Sequence, residues 1–112
     1  MARDEAVLLD IVRAARLATT FRQDMTKLAF FDDLKTQSAI LHQLMVVGEA
    51  VKRLSVEFQV GHAEVPWALI AGMRDKLIHG YDIVDLEQVW QTVIEDVPEL
   101  LSLIEPLLPK QQ

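Results

Sequence analysis

Between residues 86 and 107 apolar side chains return at steps of three and four: Leu86, Trp90, Val93, Val97, Leu100, Ile104 and Leu107. An α-helix places such residues on one stripe, close to a heptad seam, whereas a strand would send them to both faces. A helix with one apolar stripe needs partners, because packing rather than propensity supplies most helical stability in water. The remainder of the chain provides them. Val7, Ile11, Ala14 or Ala15, Ala18 and Phe21 mark a first helix, capped at Asp4 or its neighbours and running to about Arg22. Residues 24–31 read as a short connecting helix, and Leu34, Ile40, Leu41, Leu44, Val47, Val51 and Leu54 as a second long helix over 33 to about 57. After a loop at 61–66, Trp67, Ile70, Ala71, Leu77 and Ile78 predict a third helix from Pro66 to His79, closed by a left-handed Gly80. Asp85 with Gln88 resembles a capping box for the last helix, and Pro98 predicts a kink inside it.

No useful length alternates with period two, and no repeat is present. The expected fold is therefore all-α, an up-and-down bundle of four main helices plus one short connecting helix. At 112 residues, 51% hydrophobic and 25% charged, the chain suits a single folded domain over 1–112. The absence of cysteine excludes disulfides, thiolate chemistry and sulfur-ligated metals. The start Met-Ala-Arg-Asp-Glu-Ala-Val is unlike a signal peptide and no apolar run approaches about 18 residues, so a soluble, cytoplasmic protein without a membrane partner is expected.

The net charge of −6 counts against a nucleic-acid partner, but its distribution changes that reading. Residues 1–81 hold ten acidic and ten basic side chains; residues 82–112 hold seven acidic ones against Lys110 alone. A local basic cleft can therefore form from the N-terminal part, with Lys52, Arg53, Arg13 or Arg16 as candidates to join it. His42, His62 and His79 lack metal-ligand spacing such as His-Glu-x-x-His, and there is no glycine-rich phosphate loop or nucleophile elbow. Neither a metal nor a cofactor is expected.

The chemistry concentrates in Met73-Arg-Asp-Lys-Leu-Ile-His-Gly-Tyr81. Arg74 is a permanent cation able to grip a phosphate bidentately, and His79 gives or takes a proton near neutral pH. The pair suffices for RNA cleavage without a metal. Arg74 falls on the apolar stripe, where an unpaired charge is costly, so it should face an internal carboxylate or a solvated cleft between subunits. Five residues apart in a helix, Arg74 and His79 are rotated by roughly 140°, a poor clamp within one subunit. Two such helices across a two-fold axis would bring two Arg and two His together, and the apolar residues Phe30, Phe31 and Leu34 offer a face for a homodimer. At a helix C-terminus, with Asp75 one turn earlier, His79 would be kept able to donate a proton. Spacing alone favours an ordinary structural arrangement, because lone Arg and His pairs on helices are common: Arg74 paired with a carboxylate such as Glu49, His79 capping its helix and Tyr81 packed in the core.

Smaller features have simpler readings. Glu49 and Arg53 suit an exposed i,i+4 ion pair, Asp32 and Asp33 a loop or cap, and His42 a helix surface. Trp67 and Trp90 suit the core, and Gly48 either permits close approach of another helix or is merely tolerated.

Arg74-x4-His79-x-Tyr81, in a segment beginning Pro66-Trp67 and preceded by Val47-Gly-Glu-Ala-Val-Lys-Arg-Leu54, resembles the HepT family of HEPN-domain ribonuclease toxins. The likeness spans nearly the whole chain, through Asp85-Leu-Glu-Gln-Val-Trp90 and the late Pro98. It implies a HEPN-like bundle and a metal-independent RNA endonuclease that works as a homodimer and is paired with a nucleotidyltransferase antitoxin in a type VII toxin-antitoxin system. Transfer RNA is the family-level substrate expectation. Arg74 and His79 would act on the scissile phosphate, Asp75 matches the polar residue the family places after its Arg, and Tyr81 would accept AMP groups that silence the nuclease. Lys76 and Glu49 are supporting candidates. The competing expectation is a noncatalytic helical module that binds a nucleotide or partners a nucleotidyltransferase.

Overall fold

The computed structural model describes residues 2–80 and 83–109. Its elements are α1 (Ala2–Arg22), α2 (Lys27–Phe31), α3 (Leu34–Val51), α4 (Val56–Gly61), α5 (Trp67–Ala71), α6 (Met73–Leu77), β1 (Ile78–His79), β2 (Ile83–Val84), α7 (Leu86–Gln91) and α8 (Val97–Ile104). A π-helical segment, Thr92–Asp96, joins α7 to α8, and a 3₁₀ turn, Glu105–Leu107, follows. The all-α bundle expected from periodicity is the observed architecture, with one two-stranded antiparallel ladder.

Helices α1 and α3 pack along each other, α8 lies against α1, and α5 and α6 lie against α3. Between them sits one core that includes Leu8, Ile11, Ile40, Leu44, Val47, Leu77, Val93, Val97 and Ile104. Trp67 and Trp90 belong to it, as their stripes require. Phe30 is also fully buried, its ring centroid 5.3 Å from that of Trp90. It is thus an interior residue rather than part of a free face, while Leu34 remains 75% exposed. Asp33 caps α3 by accepting from Thr36 N at 3.0 Å, and Asp32 closes α2, the cap roles expected of that pair. Gly48 is a close-approach site: a Cβ there would stand 3.1 Å from the Ile70 carbonyl oxygen and 3.6 Å from Met73 Cβ.

The helix ends differ from those expected, each for a local reason. Asp4 is not a cap; it lies inside α1, buried, with its two carboxylate oxygens accepting from Ser55 N at 2.8 Å and Ser55 Oγ at 2.7 Å. The same Ser55 caps α4 by accepting from Phe58 N, so the second long helix stops at Val51 and a separate short helix begins at Val56. The predicted third helix is divided at Gly72, the shared cap of α5 and α6, and ends at Leu77. Pro98 has no N–H to donate, and its ring would crowd the carbonyl four residues back. The chain resolves this by widening into the π-helical turn that precedes α8, the form taken by the irregularity expected there.

The acidic C-terminal segment answers the cations of the first part. Arg16 pairs with Glu105, Lys27 with Glu87 at 2.7 Å and Lys76 with Asp96 at 3.2 Å. Exposed pairs of this sort contribute roughly 0–1 kcal/mol each. Their larger effect is to leave fewer cations free for an external anion.

Candidate active site

Met73 and Leu77, one turn apart on α6, are both buried and hold that short helix against the core. The intervening Arg74, Asp75 and Lys76 consequently emerge into solvent, and all three are exposed. Arg74 therefore leaves the apolar stripe on which its spacing placed it. It does not pair with Glu49, whose carboxylate meets Lys52 at 3.3 Å instead of Arg74 or Arg53. Among the described residues, no carboxylate lies within ion-pair distance of Arg74. Asp75 donates its backbone N–H to the Gly72 carbonyl at 3.1 Å, tightening the break between α5 and α6. Lys76, held by Asp96, stands on the wall of an apolar groove of about 460 Å³ that also includes Met73, Thr92 and Leu103. Arg13 and Arg53 line a different groove, between α1 and α3, together with His42.

His79 is not at a helix C-terminus. At Ile78 the backbone turns extended, φ −122° and ψ 120°, and two residue pairs form an antiparallel ladder: Ile78 with Val84 and His79 with Ile83. Asp85 N–H closes it by donating to the Leu77 carbonyl at 2.8 Å. Gly80 has the expected positive φ, 74°, but uses it to turn the hairpin rather than to end a helix. The helix-dipole and Asp75 arguments for His79 accordingly lapse.

Another carboxylate takes that place. In an antiparallel ladder a residue meets its opposite neighbour and the diagonal one two positions along. For His79 the opposite residue is Ile83 and the diagonal one Asp85, whose Oδ2 lies 3.0 Å from His79 Nε2. The other oxygen, Oδ1, accepts from Gln88 N at 3.1 Å and caps α7. Half of the expected capping box is present, since the Asp85 N–H is committed to Leu77 rather than to the Gln88 side chain. The Gln88 N–H and then the His79 ring hold the Asp85 carboxyl below the usual carboxylate range. The His79 side chain remains 57% exposed, against 30% for Asp85.

The hairpin and α6 thus present a guanidinium without a carboxylate partner among the described residues and an oriented imidazole, both open to solvent. Tyr81 lies outside the described residues. Asp85 was legible beforehand only as a cap. Its second role needed a signal weaker than periodicity: a carboxylate six residues beyond a histidine, with a glycine in between to turn the chain. Among the described residues no three His, Asp or Glu side chains gather as a metal site.

Comparison with known proteins finds relatives of this chain. A family model described as "Ribonuclease HepT-like" matches residues 11–107. A protein of Thermococcus cleftensis named "Probable ribonuclease HepT" is 42% identical over 100 residues, covering 89% of this chain and 91% of its own. A "Putative RNase" of Methanocaldococcus jannaschii is 41% identical over 103 residues, covering 92% and 85%. A third, from Caldanaerobacter subterraneus subsp. tengcongensis and of the same description, is 42% identical over 83 residues, covering 74% of each chain. No solved structure matches the chain.

Proposed function

Because the chain belongs to the HepT-like ribonuclease family, we propose that it is an RNA endonuclease toxin of a HEPN/nucleotidyltransferase pair, with Arg74 and His79 as its catalytic residues. The observation that carries this is their joint presentation. Arg74 is exposed with no carboxylate partner among the described residues, on the short helix that leads directly into the hairpin bearing His79.

The chemistry follows from those two groups. The 2′-hydroxyl of a ribose attacks the adjacent phosphorus as His79 removes its proton. The P–O5′ bond then breaks, the leaving oxygen is protonated, and the products are a 2′,3′-cyclic phosphate and a 5′-hydroxyl end. Arg74 grips the non-bridging oxygens and stabilises the charge that builds on them in the transition state. One imidazole cannot be base and acid in the same instant, so a second His79 across a homodimer cleft supplies the other proton transfer. The reaction needs no metal, and chelation should leave it intact. Transfer RNA is the substrate class proposed. AMP placed on Tyr81, two residues from His79, adds bulk and negative charge beside the phosphate site and repels RNA. Asp75 and Lys76 flank the site, Lys76 through its pair with Asp96.

Expressing the chain alone should arrest growth, and His79→Ala or Arg74→Ala should relieve the arrest. With purified protein, loss of the proton-transfer group should lower RNA cleavage by about 10²–10⁴-fold. Both variants should keep the wild-type circular dichroism and hydrodynamic size, since both side chains are exposed. Full cleavage by purified His79→Ala would remove His79 from the mechanism. Absence of any cleavage by the wild-type chain would favour a noncatalytic module.

A further inference from the structure

We infer that Asp85 is a positioning residue for His79, and that it makes Nδ1, not Nε2, the ring nitrogen that exchanges protons with RNA. The inference rests on the ribonuclease reading above and deepens it. It starts from the contact of His79 Nε2 with Asp85 Oδ2 at 3.0 Å. An ionised carboxylate only accepts hydrogen bonds, so the shared proton sits on Nε2. Asp85 is kept ionised by its place in the fold, because Oδ1 receives the Gln88 N–H at the start of α7.

With Nε2 permanently donating to Asp85, the neutral imidazole carries its lone pair on Nδ1. Among the described residues Nδ1 has no hydrogen-bond partner, and the side chain is more than half exposed. Nδ1 is therefore the atom that takes the 2′-hydroxyl proton, or in the protonated ring gives one to the leaving oxygen. Asp85 touches neither substrate nor reacting atoms. It fixes the tautomer and the ring plane, the same two services that a carboxylate gives a histidine in hydrolytic triads.

One carboxylate therefore performs two tasks: it ends the hairpin by capping α7, and it aims the base. Asp85→Asn separates the two. Asparagine caps helices as well as aspartate does, and its Oδ1 can still accept from Gln88 N–H. Its amide nitrogen, however, donates toward His79 and favours the proton on Nδ1, the wrong tautomer for a base at that atom.

The test combines kinetics on a short RNA with nitrogen-15 NMR of histidine-labelled protein at a pH where the ring is neutral. The wild type should show the Nε2–H tautomer at His79. Asp85→Asn should shift it to Nδ1–H, with kcat falling by about 10²–10⁴-fold and KM within about twofold. A residue needed only for the helix cap would leave both tautomer and kcat unchanged in this variant, and that result overturns the inference. So does a wild-type His79 that carries its proton on Nδ1, a measurement that stands even if Asp85→Asn fails to fold. Two controls assayed in parallel separate the levels: a wild-type chain that cleaves no RNA sinks the ribonuclease assignment, an active His79→Ala removes His79 from the mechanism and the role of Asp85 with it, and an inactive His79→Ala beside a fully active Asp85→Asn sinks only the role of Asp85.

Discussion

At Arg74 the side chain is exposed and has no carboxylate partner among the described residues, which suits the phosphate-gripping role proposed for it. Its planar fork matters as well as its charge. Arg74→Lys keeps the cation and loses bidentate geometry, so cleavage should fall by about 10–10²-fold, the equivalent of one charge-assisted hydrogen bond of about 1.5–3 kcal/mol. Thermal stability should be unchanged within error, because the side chain is exposed. A melting temperature well below wild type would mean that Arg74 holds the fold instead. Arg74 and His79 were legible in the sequence because residue types announce their chemistry. Their surroundings were not: periodicity put Arg74 on an apolar stripe, and only the break at Gly72 and the inward pair Met73 and Leu77 turned it to solvent.

At the scale of elements, two glycines set the site. Gly80 sits at φ 74° with open space where a Cβ would go, so Gly80→Ala tests backbone strain without a clash. It should cost about 1–2 kcal/mol by forcing an L-residue into left-handed space, and should weaken cleavage by loosening the hairpin that carries His79. Wild-type stability and activity together would show that the turn is not needed. Gly48 does the opposite job: it lets α3 approach the Ile70 carbonyl at the end of α5. Gly48→Val drives a branched side chain into that contact and should destabilise the protein by about 1–3 kcal/mol, read as a lower urea midpoint with unchanged slope. The elements themselves could be read from spacing, since a helical stripe is a local property. Their ends could not. Asp4 and Ser55 are 51 positions apart, and their two hydrogen bonds help decide where α3 gives way to α4.

For the whole molecule, the acid side of the stability curve follows from three carboxylates. Asp4, Asp33 and Asp85 are all held below the usual carboxylate value, in each case first by a backbone N–H and next by a side-chain hydrogen bond: from Ser55, from Thr36, and from Gln88 then His79. A depressed folded pKa favours the folded state at pH values above the unfolded pKa of about 3.9, and that contribution disappears as pH falls through the lower folded values. Thermal melts should therefore be nearly level from pH 7 to about 5 and fall steeply below about pH 4. Asp4→Asn should lower stability at neutral pH and make the acid decline shallower. An unchanged acid slope would show that the Asp4 and Ser55 tie is not formed.

The sequence by itself determined that the chain is helical, where the main apolar stripes of its core run, and which cation and imidazole mark the candidate site. All of these are carried by residue type and short-range spacing, and neither needs knowledge of distant partners. Tertiary structure decided where helices stop, that His79 stands on a hairpin rather than a helix end, and that Asp85 faces it. Those outcomes depend on which backbone groups find partners across the fold, from Ser55 at Asp4 to the Leu77 carbonyl at Asp85 N–H, and spacing along the chain carries no record of them.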